Sequence, residues 1–155
     1  LQTSFIVWPQ EPDWYLRDIL GVREAQLNPL RSFVDRGIVI SAGSDAPCTD
    51  PKPLLWIHNA VNHPVKEQAL TLEEALRMVT YNAYWTTFDE AERGTLEIGK
   101  IADMVILDRN PYDVPREKLK DMVAEELILG GKSYAEQNNS WISMVLKGFF
   151  RHKKI

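Results

Sequence analysis

The first forty-odd residues carry a hydrophobic pattern that predicts a strand, a helix and a second strand. Ser4–Trp8 is a short apolar run, typical of a buried strand. Leu30, Phe33 and Val34 are spaced so that they share one face of a helix. Ile38–Ile40 are consecutive apolar residues, which favours a strand covered on both faces, as in a parallel sheet. This order predicts a crossover unit of an α/β fold.

Residues with special backbone preferences mark the ends of these helices. Pro12–Leu20 is predicted to form a short helix that Gly21 ends. Asn28 is predicted to cap the second helix, with Pro29 in its first position. Gly37 then follows the end of that helix, where a glycine is favoured.

Two more helices are predicted before residue 88. Leu54–Asn62 lies between two prolines and is predicted to be helical. Thr71 and Glu74 form a capping box, in which the Thr71 side chain caps the helix and Glu74 reaches back. The face of this last helix is predicted to be wide and well buried, and it carries Leu72, Ala75, Leu76, Met78, Val79, Asn82, Ala83 and Trp85.

The residues after Phe88 have the texture of a smaller β-rich unit. Ala102–Leu107 is predicted to be a strand, and Asp113–Asp121 to contain a short helix. Glu126–Leu129 and Lys132–Tyr134 are predicted to form a hairpin, because the two glycines between them can adopt the positive φ of its turn. We therefore divide the chain into residues 1–88, 89–135 and a tail over 136–155.

The tail has an amphipathic pattern with two interpretations. Trp141, Met144, Val145 and Phe149 fall on one helical face, and basic residues follow. The favoured interpretation is a terminal helix docked by its aromatic side chains, with solvated cations where the helix dipole favours them. The alternative is a basic helix lying on a membrane surface, which would bind anionic vesicles in a salt-sensitive way.

Composition and charge exclude several classes of protein. The 155 residues are 45% hydrophobic with a net charge of −4, which argues against a general nucleic-acid binder. One cysteine excludes an intrachain disulfide framework, and no apolar run is long enough for a membrane span. Acidic charge and a single cysteine favour the cytoplasm. Because the sequence starts at Leu1 rather than Met, we expect a piece of a longer protein.

Asp45 is the main candidate for chemistry. It follows the apolar run in a turn between Gly43 and Pro47, where α/β sheets and barrels place their sites. A carboxylate at that position could ligate a cation or act as a general base on water. The alternative is a turn or cap aspartate, and these residues alone favour neither interpretation.

The other candidate ligands are predicted to be structural. His58 and His63 are five residues apart, so they point about 140° away from each other on a helix. That spacing argues against a shared metal site. Cys48 is interpreted as a small hydrophobic side chain rather than a reactive thiol, and Asp50, Asp103 and Asp108 as turn residues.

Four segments in order resemble the amidohydrolase superfamily, in particular its amidohydrolase 3 branch. Gly37–Pro47, with its Gly-Ser-Asp-Ala-Pro, resembles the eighth barrel strand of that family. The helix over Leu72–Ala83 and the segment Gly94–Asp108 resemble the following helix and the return into a β-sandwich domain. Gly130–Tyr134 resembles the closing strand of that domain.

The resemblance implies an α/β fold, the C-terminal fragment of a metal-dependent hydrolase (β/α)8 barrel. Residues 1–88 would be its last two β/α units, and 89–135 the C-terminal part of a small β-sandwich. In this family a divalent metal, with zinc the expected ion, activates water to attack the C–N bond of a small-molecule amide or formamide. Asp45 matches the aspartate that binds the metal, takes the water's proton and passes it to the leaving amine.

The family's other metal ligands have no match in this chain. They are a His-x-His pair on strand one, a Lys, Glu or Cys on strand four, and histidines on strands five and six. A barrel alone takes about 250 residues, so these 155 residues would hold only its last part. We expect the chain alone to be inert and metal-free, and to be an excerpt of a longer protein rather than a natural truncation. The rival hypothesis is a non-catalytic regulatory or binding module, like family members described as regulators of exoenzyme production.

A barrel cut in this way leaves sheet edges open, and open edges pair with other chains. We therefore expect a homo-oligomer that buries the edges at Phe5–Trp8 or Ile38–Ile40.

Overall fold

Helices dominate the first half of the chain and a small antiparallel sheet the second half, over Leu1 and residues 16–135, which the computed structural model describes. The helices are α1 (Leu16–Leu20), α2 (Leu30–Val34), α3 (Pro53–Val61), α4 (Leu72–Val79) and α5 (Tyr81–Trp85). The strands are β1 (Met104–Leu107), β2 (Ala124–Leu129) and β3 (Lys132–Ser133). Short 3-10 turns cover Gly21–Gln26, Lys66–Gln68, Pro111–Asp113 and Arg116–Asp121.

The hydrophobic core lies among α2, α3, α4 and the 3-10 turn over Arg116–Asp121. Helix α3 packs against that turn, and Asn62 ties the two together by donating from Nδ2 to the carbonyl of Arg116 at 2.9 Å. Removing these apolar side chains from water is the main source of stability. The buried core residues are Leu30, Ile40, Ile57, Ala60, Val61, Leu70, Ala75, Met78, Leu119 and Met122.

Helix α2 buries the predicted face but starts differently from the prediction. Leu30 is fully buried, and Phe33 and Val34 pack against the core. The predicted Asn28 cap is wrong, because Pro29 occupies the cap position without a side-chain hydrogen bond. Asn28 has a φ of +50°, and its carbonyl accepts from the Leu30 amide at 2.7 Å.

Helix α4 has the predicted capping box but ends earlier than its apolar pattern suggests. The Glu74 amide donates to Thr71 Oγ1 at 3.3 Å, and the Thr71 amide donates to Glu74 Oε2 at 2.8 Å. Thr80 then breaks the helix, and its hydroxyl donates to the carbonyl of Leu76 at 2.8 Å. Such back-bonding bends helices. As a result Trp85, which was predicted to lie on the buried face, is exposed.

The apolar segment before Asp45 is extended but forms no regular strand in the described part of the chain. Leu1 pairs with it in a parallel pattern: the Leu1 amino group donates to Ser41 O at 2.6 Å, and the Gly43 amide donates to Leu1 O at 2.8 Å. The predicted cover on both faces is wrong, since Ile38 and Val39 are exposed. A strand needs a neighbour along its length, and the predicted strand Ser4–Trp8 lies outside the described residues.

The strands and the β2–β3 hairpin lie where they are predicted, and the pairing of β1 with β2 is an additional finding. The order of the sheet is β1-β2-β3, with both pairs antiparallel, and Gly130 and Gly131 form the β2–β3 turn at φ of +59° and +76°. The predicted helix over Asp113–Asp121 is a 3-10 turn over Arg116–Asp121 instead. Pro115 fixes the start of that turn in a non-helical conformation.

Two predictions concern segments at the ends of the chain. Helix α1 ends at Leu20, and Gly21 follows with a φ of +51°, as predicted. The predicted tail helix lies outside the described residues. No helix among the described residues is long and apolar enough to cross a membrane.

Candidate functional site

Asp45 occupies an exposed turn at the end of the segment that pairs with Leu1. Its φ is +55°, in the left-handed region, which aspartate adopts more readily than most residues. Its side chain is exposed to solvent. The sequence therefore predicted the location of this carboxylate at the end of an extended segment, and the structure places it there.

Hydrogen bonds on both sides of Asp45 hold the turn. Ser44 is buried, and its hydroxyl accepts from the Ala46 amide at 3.2 Å. The Thr49 hydroxyl donates to the Ser44 carbonyl at 2.5 Å, and the Cys48 amide donates to the Asp45 carbonyl at 2.8 Å. These bonds engage the main chain and leave the Asp45 carboxylate accessible.

The segment leading to Asp45 is held from its other side by α4 and α5. The Ala42 amide donates to the Met78 carbonyl at 3.3 Å, and Asn82 Nδ2 donates to the Ile40 carbonyl at 2.9 Å. Because alternate backbone groups of an extended chain point to opposite sides, this segment is bonded on one side by Leu1 and on the other by helix ends. Sequence reasoning assigned Asn82 only to a buried face and missed this role.

The described residues do not assemble a complete metal site around Asp45. No group of three or more His, Cys, Asp or Glu side chains among them is placed to hold an ion. A catalytic zinc site uses about three protein ligands, so the donor set in this part of the chain does not fit one. Cys48 is exposed in the turn after Pro47.

The two histidines near α3 have separate roles. His63 is buried; its Nε2 lies 3.1 Å from the Asn28 carbonyl, and its Nδ1 accepts from the Val65 amide at 3.0 Å. Both ring nitrogens are therefore engaged by backbone, and burial lowers the pKa of His63. His58 is half-buried, and its pKa is also lowered, mainly by burial and secondarily by the charge of Lys120.

The other turn aspartates make structural contacts. Asp103 accepts from the Gly130 amide at 2.8 Å and forms an ion pair with Arg93. Asp108 Oδ1 accepts from the Val123 amide at 3.0 Å, which fastens the β1 end to the residue before β2. These contacts agree with the interpretation of both as structural residues.

Glu74 has a second role that the capping box did not reveal. Arg31 Nη1 donates to Glu74 Oε1 at 2.8 Å, and Nη2 pairs with Oε2. This two-point contact joins α2 to the first turn of α4. The Arg31 hydrogen bonds lower the pKa of Glu74 to about 2, although partial burial opposes the shift.

Comparison with known proteins defines the class of this chain. Residues 1–135 match the model of the amidohydrolase family, in its amidohydrolase 3 branch, and the chain belongs to that family. N-substituted formamide deformylase from Arthrobacter pascens is 32% identical over 122 residues, which cover 74% of this chain and 22% of that protein. A 5-methylthioadenosine/S-adenosylhomocysteine deaminase from Caldanaerobacter subterraneus is 30% identical over 124 residues, 70% of this chain and 29% of that protein.

Solved structures show the same relationship at the level of the fold. An adenosine deaminase from Xanthomonas campestris, solved with bound zinc, superposes with a TM-score of 0.59 and 17% identity over 79% of this chain and 32% of that one. This superposition shows the fold, whereas the match to the family model confirms the resemblance to the amidohydrolases. The chain spans less than a third of the length of these relatives.

Proposed function

We propose that this chain is the C-terminal part of a metal-dependent amidohydrolase with a (β/α)8 barrel, and that Asp45 is its metal ligand and general base. One observation carries the proposal. An exposed carboxylate follows a segment that is paired in parallel with Leu1, and hydrogen bonds of its neighbours hold its main chain. Family membership and the names of the relatives support a reaction at a C–N bond, in a small-molecule amide or formamide.

The chemistry assigned to Asp45 is proton transfer. A carboxylate at the edge of the site can take the proton of the attacking water and return it to the leaving nitrogen. A divalent metal, of which zinc is the expected one, would supply the acidified water. A single carboxylate cannot hold a catalytic zinc, so we propose that the remaining ligands belong to a longer protein and that the 155 residues alone are inert.

The first test is the coding DNA upstream of the Leu1 codon, followed by expression of the longer protein that it encodes. We expect bound zinc and hydrolysis of N-substituted formamides. Asp45→Asn should lower turnover by about 10²–10⁴-fold, the range for loss of a general base. Asp50→Asn is the matched control, because Asp50 is an exposed neighbour that pairs with Lys52 at 2.7 Å. Unchanged turnover in Asp45→Asn would contradict the assignment.

A non-catalytic regulatory or binding role is the rival function. The described residues hold no group of three metal donors, which is compatible with both functions. An upstream sequence without the His-x-His pair and the later histidines would support it, and Asp45 would then be a relic of the family's site.

We also propose that the chain self-associates through the edge at Ile38–Ile40. Ile38 and Val39 are exposed beside an extended backbone, a combination that favours pairing with another chain. Light scattering should show a dimer or larger assembly at micromolar concentrations, and Val39→Lys should shift it towards monomer. A monomeric wild-type protein would refute this proposal.

A further inference from the structure

The extended segment over residues 40–43 is hydrogen-bonded along both of its edges. Leu1 bonds to one edge through its amino group and its carbonyl. On the opposite edge, Asn82 Nδ2 donates to the Ile40 carbonyl at 2.9 Å. A longer bond of 3.3 Å, from the Ala42 amide to a carbonyl at the end of α4, lies beside it. Bonds on one edge alone would let the segment rotate about that edge, whereas bonds on both edges fix its orientation.

The amide group of Asn82 is the side-chain anchor on the second edge. The Ala42 bond goes to a main-chain carbonyl, which every residue type supplies, but the Ile40 bond depends on a side chain that can donate. Ile40 is buried. Loss of the donor would therefore remove a hydrogen bond from the carbonyl of a buried residue, which destabilises the present position of the segment.

The backbone on both sides of Asn82 fixes the position of this anchor. Thr80, with φ of −119° and ψ of −99°, separates α4 from α5, so that Asn82 lies in the first turn of α5. Gly94 packs directly on that turn, where an added Cβ would lie 3.1 Å from the Tyr81 Cα. Helix α5 therefore has no room to shift towards Gly94.

We infer that Asn82 is a positioning residue for Asp45. The inference rests on the proposed function, in which the Asp45 carboxylate transfers the proton. Asp45 follows the anchored segment by two residues, and Ser44 between them is buried. A rotation of the segment would thus move Asp45 as well. Because a displacement of about 1 Å can lower the rate of a reaction about 10²-fold, an anchor remote from the carboxylate can set turnover.

The test compares three variants of the longer protein that the upstream coding DNA encodes: Asn82→Ala, Asp45→Asn and Asn62→Ala. Asn62→Ala is the matched control, because Asn62 Nδ2 also donates to a carbonyl at 2.9 Å, that of Arg116. We expect Asn82→Ala to lower kcat for an N-substituted formamide about tenfold with KM nearly unchanged, since the anchor acts on the carboxylate and not on substrate binding. Asn62→Ala should leave both constants nearly unchanged.

Hydrogen exchange followed by mass spectrometry gives a readout that does not depend on turnover. In Asn82→Ala, peptides covering residues 38–45 should exchange about tenfold faster than in the wild type, because the segment opens locally. Peptides covering α3 should keep the wild-type rate. Asn62→Ala should leave the exchange of residues 38–45 unchanged, because its hydrogen bond lies at the end of α3.

The outcomes separate this inference from the proposed function. If Asp45→Asn loses turnover and Asn82→Ala keeps it, the inference alone is overturned. Faster exchange throughout Asn82→Ala would show a general loss of stability and would overturn the inference too. If Asp45→Asn keeps turnover, the proposed function fails and the inference fails with it.

A second variant keeps the test decisive if Asn82→Ala does not fold. Asn82→Asp has nearly the same shape but, when ionised, no donor for the Ile40 carbonyl. It should reproduce the loss of kcat and the local increase in exchange. Wild-type values of kcat and exchange in Asn82→Asp would overturn the inference.

Discussion

The helical region and the sheet region use their apolar side chains in opposite ways. In the helices, Ala75 and Met78 are completely buried. In the sheet, no residue of β1, β2 or β3 is fully buried. The sheet is instead anchored by the 3-10 turn between β1 and β2, which puts Leu119 into the core beside Met122.

This difference shows which region of the described chain buries its own hydrophobic core. The helices meet one another and exclude water from Ala75 and Met78, although Trp85 at the end of α5 is exposed. The strands form backbone hydrogen bonds with one another, but their side chains stay at least partly exposed to solvent. The sheet is thus held by its connection and by its turns rather than by buried strand side chains.

The largest expected effect comes from removing the anchor. Leu119→Ala leaves a cavity at a fully buried site, and it should lower the free energy of unfolding by about 3–4 kcal/mol. Ile106→Ala, in the exposed part of β1, should cost less than about 1 kcal/mol. Urea unfolding followed by circular dichroism measures both. Equal losses in the free energy of unfolding would contradict the comparison. The strands would then contribute as much to the hydrophobic core as the turn that connects them.

The second effect concerns the tie between α2 and α4. Glu74→Gln removes the charge that Arg31 binds and should cost about 2 kcal/mol at neutral pH. The pKa of Glu74 is lowered to about 2 from an ordinary 4.5. This stabilisation is therefore complete above pH 4.5 and is lost as the pH falls towards 2.

The difference in stability between wild type and Glu74→Gln should accordingly shrink over that acidic range. Asp35→Asn is the control, since Asp35 is an exposed second partner of Arg31 at 3.4 Å and should have little effect. A pH-independent difference would mean that Glu74 acts through its capping hydrogen bonds rather than its charge.

The features that could be predicted are those that depend on residues close together in the sequence. The capping box at Thr71 and the turn at Gly130 depend on residues a few positions apart, so the sequence specifies them. The exposure of Ile38 and Val39 depends on which strands lie beside them, and local pattern contains no such information. The break at Thr80 results from a back-bond that the apolar periodicity does not show.

The candidate site divides in the same way. A carboxylate after an apolar run predicted the position of Asp45. The hydrogen bond from Asn82 to Ile40 joins residues that are distant in the chain. The hydrogen bond from the Thr49 hydroxyl to the Ser44 carbonyl joins nearby residues, but the sequence does not indicate the role of Thr49. These contacts could not be read from spacing, because each depends on where the turn and helix α5 fall in three dimensions.

A smaller effect is expected at His63, which ties the start of α2 to the end of α3. His63→Gln should cost about 1–2 kcal/mol above pH 7, because at least one buried backbone partner loses its hydrogen bond. Burial lowers the pKa of His63 below 6.5, so wild-type stability falls as the pH drops through 6.5 and the buried ring must be charged.

The difference between His63→Gln and wild type should therefore narrow below pH 6.5 in urea titrations. His58→Gln serves as the comparison, because the pKa of half-buried His58 is lowered as well. A difference that widens on acidification would show that a protonated His63 is favoured by the fold, contrary to its buried position.

The last test asks whether the sheet region depends on its turn. Gly130 has a φ of +59°, and a Cβ added there would meet no atom within 4 Å. The cost of substitution is thus one of backbone conformation alone. Gly130→Val should lose about 1–2 kcal/mol, whereas Gly130→Asn should be nearly neutral, because asparagine accepts the left-handed region. Both variants keep the amide that donates to Asp103, so thermal unfolding isolates the turn. If valine were tolerated as well as asparagine, the hairpin would be held by cover on its face rather than by its turn, and the contrast with the helical region would disappear.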